Sequence, residues 1–144
     1  MKKLLLLQLK IVAQKLISKY KPVIISITGS IGKTSTKEAI YHVLKNKFSV
    51  RTSFKNYNNE IGLPLTIIGV ESPGKSYFGW LLVFLRALRL LIFTDKKYPK
   101  ILVLEMGVDR PGDMDYLISI APPQIAVVTA VSYSHLEYFG NLNN

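Results

Sequence analysis

The chain has 144 residues, 49% hydrophobic and 19% charged, the proportions of an ordinary globular domain, which exclude wholesale disorder and favour a single domain. It contains no cysteine, which excludes a disulfide framework, a thiolate metal site and cysteine catalysis. The formal net charge of +10 arises within residues 1–60, where twelve Lys and Arg face only Glu38 and Glu60; such one-sided charge implies an anionic partner, whether nucleotide, nucleic acid or membrane surface.

Residues 3–19 carry Leu5, Leu9, Val12 and Leu16 at helical spacing, with Lys10, Lys15 and Lys19 available to the other side. Lys21-Pro22 ends this helix, because a residue before proline avoids the helical region. The opening lysines and leucines superficially resemble a signal peptide, but Gln8 and Lys10 break the apolar run after four residues, and the segment reads as a retained helix. Residues 23–27, short and rich in β-branched side chains, have the pattern of a buried parallel strand. After a glycine turn, 33–47 reads as a helix with Ala39, Ile40, Val43 and Leu44 inward, and 48–52 as a second strand. Residues 53–60 form an asparagine-rich loop, and 61–70 is apolar but of undecided type.

Ser72-Pro73-Gly74 is a turn, and 77–93 reads as a helix. Its apolar stretch is broken by Arg86 and Arg89 and falls short of the roughly 20 residues that cross a bilayer. Residues 101–104 are a third strand. Pro111-Gly112-Asp113 opens a helix running to about Ile120, with Asp113 as its cap, and Pro122-Pro123 breaks it before a fourth strand at 125–130. Strands alternating with helices imply an α/β fold, a mostly parallel sheet flanked by helices, which the glycine turn after the first strand makes P-loop-type. Four strands are few for such a sheet, so an incomplete domain is expected. Two units are expected: a basic amphipathic helix over 1–21, with six lysines and no acid, and an incomplete α/β domain over 22–144.

The sharpest motif runs from Ile25 to Thr36. A buried strand enters Thr28-Gly29-Ser30-Ile31-Gly32, and Lys33-Thr34-Ser35 opens a helix. Glycines let backbone N–H groups approach phosphate oxygens, and the helix N-terminus adds positive potential. Lys33 is placed to reach the β- and γ-phosphates, and the Thr34 hydroxyl to ligand Mg²⁺. Ile27 stands where the general P-loop pattern has its first glycine. Glu105 closes the third strand, at the sheet end where ligands gather, and a carboxylate there can hold Mg²⁺ directly or through water. His135 follows the fourth strand at a comparable level, whereas His42, inside a helix, reads as a packing or surface residue.

The run Thr28 to Glu38 resembles the nucleotide loop of the Mur ligase family. Asn56-Tyr57-Asn58-Asn59-Glu60-Ile61-Gly62-Leu63-Pro64-Leu65 resembles a segment of the branch that adds D-alanyl-D-alanine to the UDP-sugar tripeptide. Glu105-Met106-Gly107, Pro111-Gly112-Asp113 and the His135 to Gly140 motif continue the series in order. The resemblance implies the central domain of an ATP-dependent carboxylate–amine ligase of peptidoglycan-precursor synthesis, working through an acyl phosphate. Carried over, Gly29, Ser30, Ile31, Gly32, Lys33, Thr34, Ser35 and Asn58 contact the nucleotide. Lys33, Asn59 and His135 take catalytic roles, and Thr34, Glu105 and His135 hold Mg²⁺. Asn59 is favoured over Asn58 on the γ-phosphate side.

ATP and Mg²⁺ are the implied cofactors, and the implied location is the cytoplasm, with peripheral contact to the inner face of the membrane. The family's UDP-sugar-binding domain, its carbamylated lysine and its amine-receiving domain are not matched within these residues. A piece of a longer ligase is therefore expected, which meets its UDP-sugar peptide through other domains. Two readings compete. One is a folylpolyglutamate- or cyanophycin-synthetase-like ligase, which would share Lys33, Glu105 and His135. The other is a non-catalytic nucleotide-binding module attached to a membrane or partner through the 1–21 and 77–93 helices. Nucleic acid is not an expected partner, since Tyr20, Phe48, Phe54 and Tyr57 form no stacking motif.

Overall fold

Four short apolar segments pair side by side in one parallel sheet, with strand order β2-β3-β1-β4. The computed structural model describes residues 2–54, 56–130 and 132. In chain order the elements are α1 (Lys2–Tyr20), β1 (Val23–Thr28), α2 (Lys33–Leu44), β2 (Val50–Thr52), α3 (Gly62–Ile68), α4 (Tyr77–Ile92), β3 (Ile101–Glu105), α5 (Asp113–Ile120) and β4 (Ile125–Val128). The α/β expectation holds. β1 is central: Val23 to Ile27 pair with Ile101 to Glu105 on one side, and Ile25 to Thr28 with Ile125 to Val128 on the other. The chain leaves β1 towards β2 and returns through β3 to β4 on the opposite flank. The crevice at the carboxyl end of β1 is thus a topological switch point.

Side chains alternate across a strand, so the sheet builds two cores. Ile24, Leu102 and Leu104 face α1, α3, α4 and α5 in the larger core. Ile25, Ile27, Ile101 and Val103 face the other way, against Ile40 and Leu44 of α2. Odd parity continues to the end of β3, which puts Glu105 on the α2 face.

Several boundaries and orientations differ from expectation. α2 ends at Leu44, and its buried stripe is Lys37, Ile40 and Leu44. Ala39 is exposed, and Val43 is 74% exposed. With Ile25, Ile125 and Val127 they line a shallow apolar hollow of about 410 Å³, because among the described residues α2 alone covers this face of the sheet. The undecided 61–70 stretch is α3, all seven residues of which are buried. Periodicity could not identify it because a short helix buried all round has no polar stripe. Asp113 is the first residue of α5, not its cap. Gly112 takes the cap position at φ 90°, and the Asp113 carboxylate accepts from the Asp109 and Arg110 N–H groups at 3.0 and 2.8 Å. Lys21 closes α1 in the left-handed region at φ 48°, its N–H bonded to the Ile17 carbonyl at 2.8 Å.

Candidate nucleotide-binding site

The loop between β1 and α2 wraps the switch point. Gly29 has φ 131°, and a Cβ built there would lie 2.3 Å from Thr129 Oγ1 and 2.9 Å from the Ala130 carbonyl. No side chain fits in that gap, so the strand can turn there only with glycine. The neighbouring chain holds the loop: Ser30 N–H donates to the Ala130 carbonyl at 2.7 Å, and Thr129 Oγ1 to the Ile31 carbonyl at 2.6 Å. Gly32, at φ 87°, caps α2 without a side-chain bond. The first helical bond runs from Thr36 N–H to the Gly32 carbonyl. The N–H groups of Lys33, Thr34 and Ser35 thus belong to the first turn, which has no intrahelical acceptor for them. Ile31 is largely exposed on the rim.

Lys33 folds back over this loop, its Nζ donating to the Gly29 carbonyl at 2.5 Å and the Ser30 carbonyl at 3.4 Å. An ammonium held on loop carbonyls is already positioned at the mouth of the anion cradle. Glu105 is 3% exposed and stands behind it. Its Oε2 accepts from Thr34 Oγ1 at 3.0 Å, and its Oε1 from Asn58 Nδ2 at 3.2 Å. The carboxylate is therefore not the solvated strand-end group that position alone would allow. The Thr34 hydroxyl and the Glu105 carboxylate, joined by that bond, offer adjacent oxygen ligands. This donor set suits Mg²⁺, which prefers oxygen and takes its remaining positions from water and phosphate. Among the described residues no group of three or more His, Asp or Glu side chains forms a preassembled metal cage.

The structure brings Asn58, rather than Asn59, to Glu105. Asn59 Oδ1 instead accepts from the Ile61 and Gly62 N–H groups at 3.2 and 2.9 Å, satisfying the start of α3. Asn59 also lines a cavity of about 490 Å³ with Lys3, Lys10, Gly107 and Asp113. His135 lies outside the described residues. His42 is on the exposed side of α2, with Nδ1 2.8 Å from the Glu38 carbonyl.

One residue escaped the sequence reading. Lys37 is 1% exposed, donates to the Ser53 carbonyl at 3.1 Å, and places its ammonium 3.8 Å from Glu105 Oε2. Its spacing was a usable signal: Lys37 lies three residues after Thr34 and therefore on the same side of α2.

A family model, the Mur ligase middle domain, matches residues 27–78 and 86–144. The chain belongs to the Mur ligase family. The chain is 36% identical over 118 residues to the UDP-N-acetylmuramoyl-tripeptide--D-alanyl-D-alanine ligase of Borreliella burgdorferi, covering 82% of this chain and 20% of that one. Its counterpart from Mycobacterium leprae is 40% identical over 118 residues, covering 82% and 18%. The crystal structure of the MurF ligase from Thermotoga maritima in complex with ADP superposes with a TM-score of 0.71 at 38% identity, over 94% of this chain and 26% of that one. These names agree with the dipeptide-adding branch rather than a folylpolyglutamate- or cyanophycin-type enzyme. The chain spans about a fifth of the length of the curated Mur ligase relatives it matches.

Proposed function

We propose that this chain is the nucleotide-binding part of an ATP-dependent carboxylate–amine ligase that builds the peptidoglycan precursor. The observation that carries the reading is the Thr34–Glu105 hydrogen bond beside Lys33, at the switch point of a parallel sheet. In the proposed reaction ATP transfers its γ-phosphoryl group to a substrate carboxylate. The acyl phosphate is attacked by an amine, and amide, ADP and phosphate result. By analogy with the relatives' names, the carboxylate belongs to a UDP-sugar tripeptide and the amine to D-alanyl-D-alanine, both bound through other parts of the enzyme. Such substrates place the reaction in the cytoplasm.

This chain's residues have little covalent chemistry to perform and a large electrostatic task. N–H groups of Gly29 to Ser35 bind phosphate oxygens, and Lys33 swings from the Gly29 carbonyl to the transferring phosphoryl group. Thr34 and Glu105 would hold Mg²⁺, which when bound neutralises charge on the phosphates. Asn58 orients the Glu105 carboxylate on the γ-phosphate side, while Asn59 supports it indirectly by starting α3. His135 remains assigned, by resemblance, to a second metal position.

The test is calorimetric titration of Mg²⁺-ADP and Mg²⁺-ATP into the protein and into Lys33→Ala, with circular dichroism as the control for folding. Binding that needs both Mg²⁺ and Lys33 is expected. A folded protein that ignores both nucleotides would overturn the reading. A contact between α4 and the inner face of the membrane is a separate proposal, resting on different residues.

A further inference from the structure

α4 is apolar on both sides. Val83, Ala87 and Leu90 are buried against the larger core. The opposite side carries Tyr77, Phe78, Leu81, Leu85, Leu88 and Ile92, with exposures from 50% at Leu85 to 83% at Tyr77. At 100° per residue these six span about 100° of arc, one continuous stripe. A helix hydrophobic all round needs cover on both sides, and among the described residues the protein core supplies only one.

The surroundings of the stripe favour lipid. No acidic residue occurs from Ser72 to Thr94, which holds Lys75, Arg86 and Arg89; Glu71 and Asp95 bound the segment, and Lys96 and Lys97 follow Asp95. Arg89 is exposed beside the stripe, while Arg86 is half-buried and lies about 80° further round the helix, towards the core side. Aromatic side chains mark both ends, Tyr77 and Phe78 at the start and Phe93 just past the last turn. Apolar body, basic flanks and aromatic ends are the features of a helix lying in the plane of an anionic bilayer surface. Sixteen residues rise about 24 Å, too short to cross the hydrocarbon core. Among the described residues no helix is long and apolar enough to do so. Residues 79–85, in the first half of α4 and including Leu81 and Leu85, are unmatched by the family model, whereas the rest of the helix is matched.

We infer that the outward stripe of α4 seats this protein on the surface of an anionic membrane, its leucines and aromatics in the headgroup–acyl boundary and its arginines and lysines among the phosphates. The site is independent of the nucleotide loop. The chain has no cysteine, so Leu85→Cys accepts a single environment-sensitive dye. The experiment floats the full protein with vesicles of phosphatidylcholine alone, or of phosphatidylcholine mixed with phosphatidylglycerol, at low and high salt, and reads the dye in parallel.

Flotation with the mixed vesicles only, weakened by salt, together with a dye that shifts to the blue when vesicles are added, is the expected result. The double variant Leu81→Gln/Leu85→Gln, both at exposed positions, should lower partitioning by about tenfold or more with unchanged circular dichroism and ADP binding. Failure to float, or equal flotation of the double variant, would overturn the inference. So would a dye already blue-shifted without lipid, because the stripe would then be covered by a second copy or another part of the protein. Flotation without ADP binding would retain the membrane contact and reject the proposed ligase role.

Discussion

At the residue scale, Glu105 organises the site: a buried carboxylate receiving a hydroxyl, an amide and an ammonium. Taking one partner from a buried pair strands the other charge. Lys37→Ala is therefore expected to destabilise the fold by about 3–5 kcal/mol in urea unfolding, whereas Lys37→Met combined with Glu105→Gln should recover most of that loss. Additive losses in the double variant would show that the two groups are not coupled. The two asparagines behave differently. Asn59→Ala should cost about 1 kcal/mol of stability, like the loss of an N-terminal cap, with nucleotide affinity intact. Asn58→Ala takes the amide donor from the buried Glu105 carboxylate. It should weaken Mg²⁺-nucleotide binding and also cost about 1–3 kcal/mol of stability, so that only Asn59→Ala separates the two readouts in parallel calorimetry and unfolding.

At the element scale, the β1–α2 connection is held by a backbone that no side chain can enter. Gly29→Ala must both adopt an unfavourable positive φ and displace Thr129 and Ala130. A loss of more than about 2 kcal/mol is expected, with nucleotide binding impaired because the loop's N–H groups move; thermal unfolding and calorimetry check the two parts. α3 shows how a fully buried element is anchored. Its C-terminal carbonyls would be orphaned in the core. They are met instead by Arg51, at 2.7 Å from the Ile67 oxygen and 3.3 Å from the Thr66 oxygen, and by the Tyr98 hydroxyl, at 2.8 Å from the Ile67 oxygen.

At the scale of the whole molecule, Tyr98 joins elements far apart in the chain. Its ring stacks on Tyr20 of α1 at 3.9 Å between centroids, Arg51 of β2 lies 5.0 Å from its centre, and its hydroxyl ends α3. Burial pushes its phenol from the ordinary 10.0 up to about 12, opposed in part by the Arg51 charge. The folded state keeps the proton longer than the unfolded chain. This stabilisation is complete below pH 10 and is lost as pH rises towards 12. About 2 kcal/mol should disappear across that window, read as a falling urea midpoint. Tyr98→Phe should flatten the slope, at the cost of about 1 kcal/mol at neutral pH for the lost hydrogen bond.

The sequence alone determined what local chain chemistry controls. A β-branched run set the central strand, the Gly-Lys-Thr turn set the phosphate loop, and leucine spacing set α1; the strand-end position singled out Glu105. The tertiary structure decided which of these meet. Thr34 and Glu105 are 71 residues apart and touch because β3, rather than β2, pairs with β1. Asn58 bonds to Glu105 while Asn59 bonds to the start of α3, a division that two adjacent asparagines in the sequence do not reveal. The inward stripe of α2 shifted to Lys37, Ile40 and Leu44 because, among the described residues, one helix covers that face while four cover the other. Periodicity records which faces of an element are apolar; what lies against each face depends on strand order and layer packing, which are properties of the assembled chain.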